Sequence, residues 1–181
     1  MNWTRDLCIF AAAAALSGSA MCEEVGFGVS FFQDSGTLFV PVAVTPTFRV
    51  EPYLGFYRNS ATSTQPYARS NSSYVFGTGA FTTKRVAENI QLYGGSRVAY
   101  VRRRQTYSEA QQGFSIQTSG YLVAPTVGFE YFLQRNISIG AEAGFSYMRT
   151  SGHDSYVANE ADTKESTTST TTAMTIRYYW N

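Results

Sequence analysis

Six charged residues interrupt otherwise apolar stretches of this chain: Arg49, Glu51, Arg97, Glu130, Glu142 and Arg177. Two carboxylates within reach of one another can share general acid–base work. A carboxylate within reach of a guanidinium forms strong, often bidentate hydrogen bonds instead. A second candidate is the stretch SGHDS, where the single histidine, His153, stands two residues from Ser155 with Asp154 between them. A Ser–His pair can act as an activated nucleophile, but only with fixed geometry and an orienting acid. A third is VRRRQ, Val101–Gln105, with Arg58 and Arg149 at comparable distances from neighbouring apolar runs. Clustered guanidiniums suit phosphate oxygens. Metal-ligand spacing, a phosphate-binding glycine loop and a nucleic-acid patch are all missing, so neither a cofactor nor a nucleic-acid partner is expected.

The elements carrying these residues are strands. Beyond residue 22 there is no helical period, and apolar residues instead recur at every second position. In Tyr121–Leu133, Tyr121, Val123, Pro125, Val127, Phe129, Tyr131 and Leu133 share one parity; Leu122, Ala124, Thr126, Gly128, Glu130 and Phe132 share the other. In Ile137–Met148, Ile137, Ile139, Phe145 and Tyr147 alternate with Ser138, Gly140, Glu142 and Ser146. Eight runs of this kind are expected: 24–32, 37–44, 48–58, 73–83, 91–103, 120–133, 136–149 and 172–180. Short connectors at 45–47, 84–90 and 134–136 alternate with long polar segments at 59–72, 104–119 and 150–171. The last holds TKESTTSTTT, which suits a loop or a polar extension of two strands. This reads as hairpins with one plain end and one elaborated end.

Composition adds a constraint on what surrounds the strands. Lys plus Arg is 14 and Asp plus Glu is 13, so net charge implies no partner. Aromatics are abundant, with 13 Tyr and 13 Phe, while Lys84 and Lys164 are the only lysines. A water-soluble surface carries more charge than this. At the N-terminus, LCIFAAAAAL followed by SGSA reads as a cleaved export signal over 1–20, leaving 21–181 as one domain. Cys8 would leave with the signal and Cys22 would remain as a lone thiol, so no internal disulfide is expected.

The composition of the two faces chooses between barrel types. The Glu130 face is too poor in charge for a soluble exterior, but small residues with rare charges suit a narrow lumen. In lipid every backbone group needs a partner, so a spanning sheet must close on itself. The expected fold is all-β: a single eight-stranded antiparallel up-and-down transmembrane β-barrel with short periplasmic turns and long extracellular loops. An even strand number puts both termini on one side, which after export is the periplasm.

Three stretches carry a family resemblance: Val40-Pro41, the strand FRVEPYLGFYRNS at Phe48–Ser60, and the hairpin Gly128–Tyr147. With them, nearly the whole chain after residue 20 resembles small eight-stranded outer-membrane proteins of the OmpA/OmpX-like β-barrel kind. The resemblance implies outer-membrane localisation in a Gram-negative bacterium and a monomer. It also implies contact with outer-membrane lipids and lipopolysaccharide, with periplasmic chaperones and the barrel assembly machinery serving biogenesis. Such proteins end on an aromatic assembly signal; here Tyr178 and Trp180 alternate correctly, with Asn181 added after them.

Within that frame the charges acquire roles. Three Arg and three Glu of lumen parity are expected to form a buried salt-bridge network, because a buried charge must be paired. Arg58, Arg102, Arg103, Arg104 and Arg149 form a candidate belt against lipopolysaccharide phosphates. His153 and Ser155 fall in a Ser-rich polar segment rather than on a rigid wall, so no enzymatic activity is expected. The alternatives are a lipid A deacylase-like enzyme using that pair, and a narrow channel.

Overall fold

The computed structural model describes residues 24–32, 35–62, 68–108, 113–154 and 162–180. The export signal, Cys22, Ser155 and Asn181 lie outside the described residues. The strands are β1 (Glu24–Phe32), β2 (Ser35–Phe39), β3 (Val42–Thr45), β4 (Phe48–Thr62), β5 (Ala68–Ala87), β6 (Ile90–Ser108), β7 (Gly113–Gln134), β8 (Ile137–Asp154) and β9 (Asp162–Trp180). Each pairs antiparallel with its neighbours, and β1 pairs with β9 from Val25↔Trp180 to Phe31↔Met174, closing the sheet into a ring.

The nine segments make eight strands. Against β1, Phe39 faces Gly28 and Val42 faces Val25, so β2 and β3 keep one register. They also keep one register against β4. Pro41 separates them because it has no N–H to give the ladder. The surrounding groups still pair: Gly26 N donates to Pro41 O at 2.8 Å and Val40 N to Pro52 O at 3.0 Å. Pro125 interrupts the β7–β8 ladder, while β7 itself stays continuous and paired with β6. The β7–β8 ladder runs to Val123↔Tyr147 and resumes at Thr126↔Gly144. The Thr126 hydroxyl donates to Ala124 O at 3.0 Å.

Two-residue turns at Pro46-Thr47, Glu88-Asn89 and Arg135-Asn136 join strands at the end that carries both described termini. The other end corrects the expectation of long loops. Segments 59–72, 104–119 and 150–171 are mostly strand: Thr62 pairs with Ala68, Ser108 with Gly113 and His153 with Asp162. Pairing is a backbone property, and β-branched Thr fits a pleated strand whether or not one face is apolar. Polarity ends the apolar band there without ending the strands.

The alternation resolves into outside and inside. Phe27, Leu54, Val98, Val127, Phe129, Ile139, Phe145 and Ile176 project outward and are exposed. Aromatics bound this band: Tyr74, Tyr100, Tyr121 and Tyr147 towards the elongated end, and Phe48, Tyr131, Tyr178 and Trp180 towards the turn end. So continuous an apolar exterior is unfavourable in water and favourable in lipid. Inward-facing positions are small or polar, are buried aliphatics such as Val101 and Met148, or are large rings laid across glycines. A Cβ on Gly28 would strike the Phe39 ring, and one on Gly128 would strike the Tyr93 ring. Those two glycines let aromatic rings cross a lumen that eight strands leave barely wide enough.

Candidate functional site: a buried ion network and a cationic rim

The closed sheet brings Arg49, Glu51, Arg97, Glu130, Glu142 and Arg177 into one lumen cluster. Arg49 and Glu51 alternate up β4, Arg97 rises from β6, and Arg177 hangs from β9. Glu130 and Glu142 face inward from either arm of the β7–β8 hairpin. Glu51, Glu130 and Arg177 are all 0% exposed.

Every carboxylate meets at least two guanidiniums. Glu51 Oε1 lies 3.0 Å from Arg49 Nε and 3.3 Å from Arg177 Nη2, and its Oε2 lies 3.1 Å from Arg97 Nη2. Glu130 Oε1 accepts from Arg49 Nη1 at 2.5 Å and lies 3.2 Å from Arg177 Nη1. Arg97 grips Glu142 through both terminal nitrogens, with Nη2 to Oε2 at 2.9 Å. Arg177 Nη2 stands 4.0 Å from the same oxygen.

Two phenols stitch the cluster together. Tyr179 donates to Glu130 Oε2 at 2.7 Å and accepts from Arg49 Nη1 at 3.0 Å. Tyr93 donates to Glu142 Oε2 at 3.0 Å and accepts from Arg177 Nη2 at 3.3 Å. Ser138 adds a donor to Glu130 Oε2 at 3.1 Å, and Thr175 accepts from Arg177 Nη1 at 2.9 Å. Rings close the remaining sides. The Arg177 guanidinium sits 4.8 Å from the Phe39 centroid and 5.0 Å from that of Tyr93, and Arg97 sits 5.2 Å from Phe81. Such contacts shield cations from solvent without adding charge.

Tyr93, Tyr179 and Ser138 share inward parity with the charges on their own strands, which was the available signal for them. Phe39 and Phe81 were harder to read, because large rings in a lumen become possible only where Gly28 and Gly79 leave room.

Chemically this is a plug. Three acids and three bases pair with one another in a lumen that buries all of them but the partly exposed Arg97, so each of these three carboxylates is engaged by guanidiniums. Above it Phe39, Tyr53 and Ala99 pack with Val75 and Leu122, beside a cavity of about 180 Å³ whose lining includes Arg97, Thr126, Glu142 and Ser146.

The second cluster lies outside, where the apolar band gives way to polar strand. Arg102, Arg104 and Arg149 are exposed. Arg103 corrects the expected belt. It falls on the inward parity, shared with buried Val101 and with Gln105, because neighbours on a strand face opposite ways. Arg58 pairs with Ser72 in the β4–β5 ladder, and its side chain lies outside the described residues. Lys164, unassigned from sequence because it lay in a polar segment, joins the rim through its pairing with Ser151. With its amide turned to present oxygen, Gln117 accepts from Arg102 Nε at 2.6 Å. Beneath these cations Tyr100 and Tyr121 meet edge to face with centroids 6.1 Å apart. An outward depression of about 470 Å³ runs between Tyr100, Tyr121, Arg149 and Lys164.

The remaining candidates are reported by position. The His153 backbone pairs with Gln117 and Asp162, but its side chain, like Ser155, lies outside the described residues. Tyr178 and Trp180 face outward with ring centroids 6.2 Å apart.

Comparison with solved structures agrees with this architecture. A major outer membrane protein of Thermus thermophilus superposes with a TM-score of 0.62 at 10% identity, over 87% of this chain and 98% of that one. Neisserial surface protein A gives a TM-score of 0.53 at 14% identity, over 86% and 92%. Ail, the attachment invasion locus protein of Yersinia pestis, gives 0.52 at 14% identity, over 87% and 94%. No protein-family model and no curated protein matches the sequence.

Proposed function

We propose that this chain, which has the fold of the small outer-membrane β-barrels, is an integral outer-membrane protein without enzymatic activity, serving envelope structure or surface interaction. The observation that carries this reading is the inversion of the faces: an apolar, aromatic-bounded outside around an ion-paired inside. A soluble barrel would need the opposite arrangement. In this reading the turn end and the termini face the periplasm, and the elongated polar strands stand on the cell surface. The names of two neighbours, a surface protein and an attachment invasion locus protein, support a surface-interaction role.

The outward rim supplies the lipid contact. Arg102, Arg104, Arg149 and Lys164 above the Tyr100–Tyr121 pair match a lipid whose phosphates sit over its acyl chains. Each guanidinium can meet a phosphate bidentately, and the proposed partner is lipopolysaccharide.

Cell fractionation with unheated and heated gels tests the main reading. The protein should co-sediment with outer membranes and change mobility on boiling. A soluble protein whose mobility is indifferent to heat would overturn it. An Arg102/Arg104/Arg149 triple alanine variant should retain several-fold less co-purifying lipopolysaccharide, and equal retention would remove the rim from the proposal.

A further inference from the structure

The mouth at the turn end holds a third cluster, which shares only Arg49 and Tyr179 with the plug and nothing with the rim. It opens into a cavity of about 480 Å³ lined by Glu24, Arg49, Thr83, Arg85, Gln91 and Arg135, among others. Each comes from the last inward positions of its strand or from the adjacent turn, so closing the barrel is what gathers them.

Charge and hydrogen-bonding capacity are both left over here. The plug beneath balances three Arg against three Glu, with Arg49 already counted. The cup then adds Arg85 and Arg135 against Glu24 alone, an excess of one positive charge. Among the described residues none of these three makes an ion pair within 4.0 Å. Arg49 is 3% exposed and lines the cup, yet its Nη2 has no hydrogen-bond partner. A buried guanidinium nitrogen without a partner is costly, and an oxyanion in the cup would satisfy it. Arg85 is held in place: its guanidinium lies 5.3 Å from the Phe132 centroid, and Phe132 packs on Tyr179.

We propose that this cup binds a singly charged oxyanion, a carboxylate or a phosphate group, presented from solvent at the mouth that carries both termini. Arg85 and Arg135 supply the attraction, Arg49 the deep donor, and Gln91 a neutral donor on the wall.

The test uses the full chain folded in zwitterionic detergent, titrated with sodium phosphate or sodium acetate by calorimetry at fixed ionic strength. Wild type should bind at least one probe saturably, and the probe that saturates identifies the source as phosphate or carboxylate. R85A/R135A should bind at least tenfold more weakly. Both side chains are exposed and outside the plug, so heat-modifiable mobility should persist. If it does not, R85Q/R135Q is read instead. K84A, which removes a cation from the outward face of β5, should bind as wild type does. Absence of saturation with both probes would overturn the site. So would an undiminished affinity in the Arg85/Arg135 variant, or an equal loss in the Lys84 variant.

Discussion

At the scale of single residues, the plug's members differ in how much depends on them. Glu51 touches three guanidiniums, those of Arg49, Arg97 and Arg177. Removing its charge leaves three cations facing two carboxylates, with Arg49 and Arg177 buried. Breaking one partner out of a buried ion pair costs on the order of 3–5 kcal/mol. Glu51→Gln and Glu130→Gln should therefore lower the unfolding temperature in detergent, followed as loss of the fast-migrating form on unheated gels. Glu142→Gln should cost less, since Glu142 retains 8% exposure and its amide could still meet Tyr93 and Arg97. Equal stability of all three variants and the parent would show that the network does not hold the fold. The six charges were legible from parity alone, and so was the need to pair them. Which oxygen meets which nitrogen was not, because those partners lie as far as 126 positions apart.

At the scale of elements, the instructive case is the polar end. The sequence suggested loops over 59–72 and 104–119 and left 150–171 open between a loop and a polar extension of two strands. The strands continue: β9 runs back to Asp162 and β5 begins at Ala68. Hydrophobic alternation reports which face meets lipid, whereas hydrogen bonding across the ladder does not depend on it. Residues such as Thr168 and Thr170 are exposed on β9 yet stay paired with Tyr147 and Phe145. Amide hydrogen exchange should therefore show protection across Ser166–Thr172 well above that of an unstructured chain. Coil-like exchange there would restrict the barrel to its apolar band. Pro41 and Pro125 are the complementary lesson. Both sit inside strands that keep their register, and neighbouring groups take up the pairing that proline cannot make.

At the scale of the whole molecule, closure decides what the protein can conduct. Arg177, Glu51, Glu130 and Phe81 are all 0% exposed, and they divide the lumen between a cavity above and a cup below. An ion crossing would have to break several charge-assisted bonds at once. The wild-type protein in a planar bilayer should accordingly show no sustained single-channel openings. Steady conductance would mean that the plug opens, and would favour the channel alternative.

Alternation and the shortage of charge were enough to specify strands, their number, the lipid-facing side and the residues that must pair inside. These are local properties: the face a residue takes depends only on its neighbours along the chain. The tertiary structure alone decided the rest. Ring closure put Arg49 beside Glu130, and Tyr93 between Arg177 and Glu142. It brought Lys164 to the rim and gathered Arg85 and Arg135 around the opposite mouth. Those outcomes depend on the register of strands distant in sequence, which no local pattern encodes.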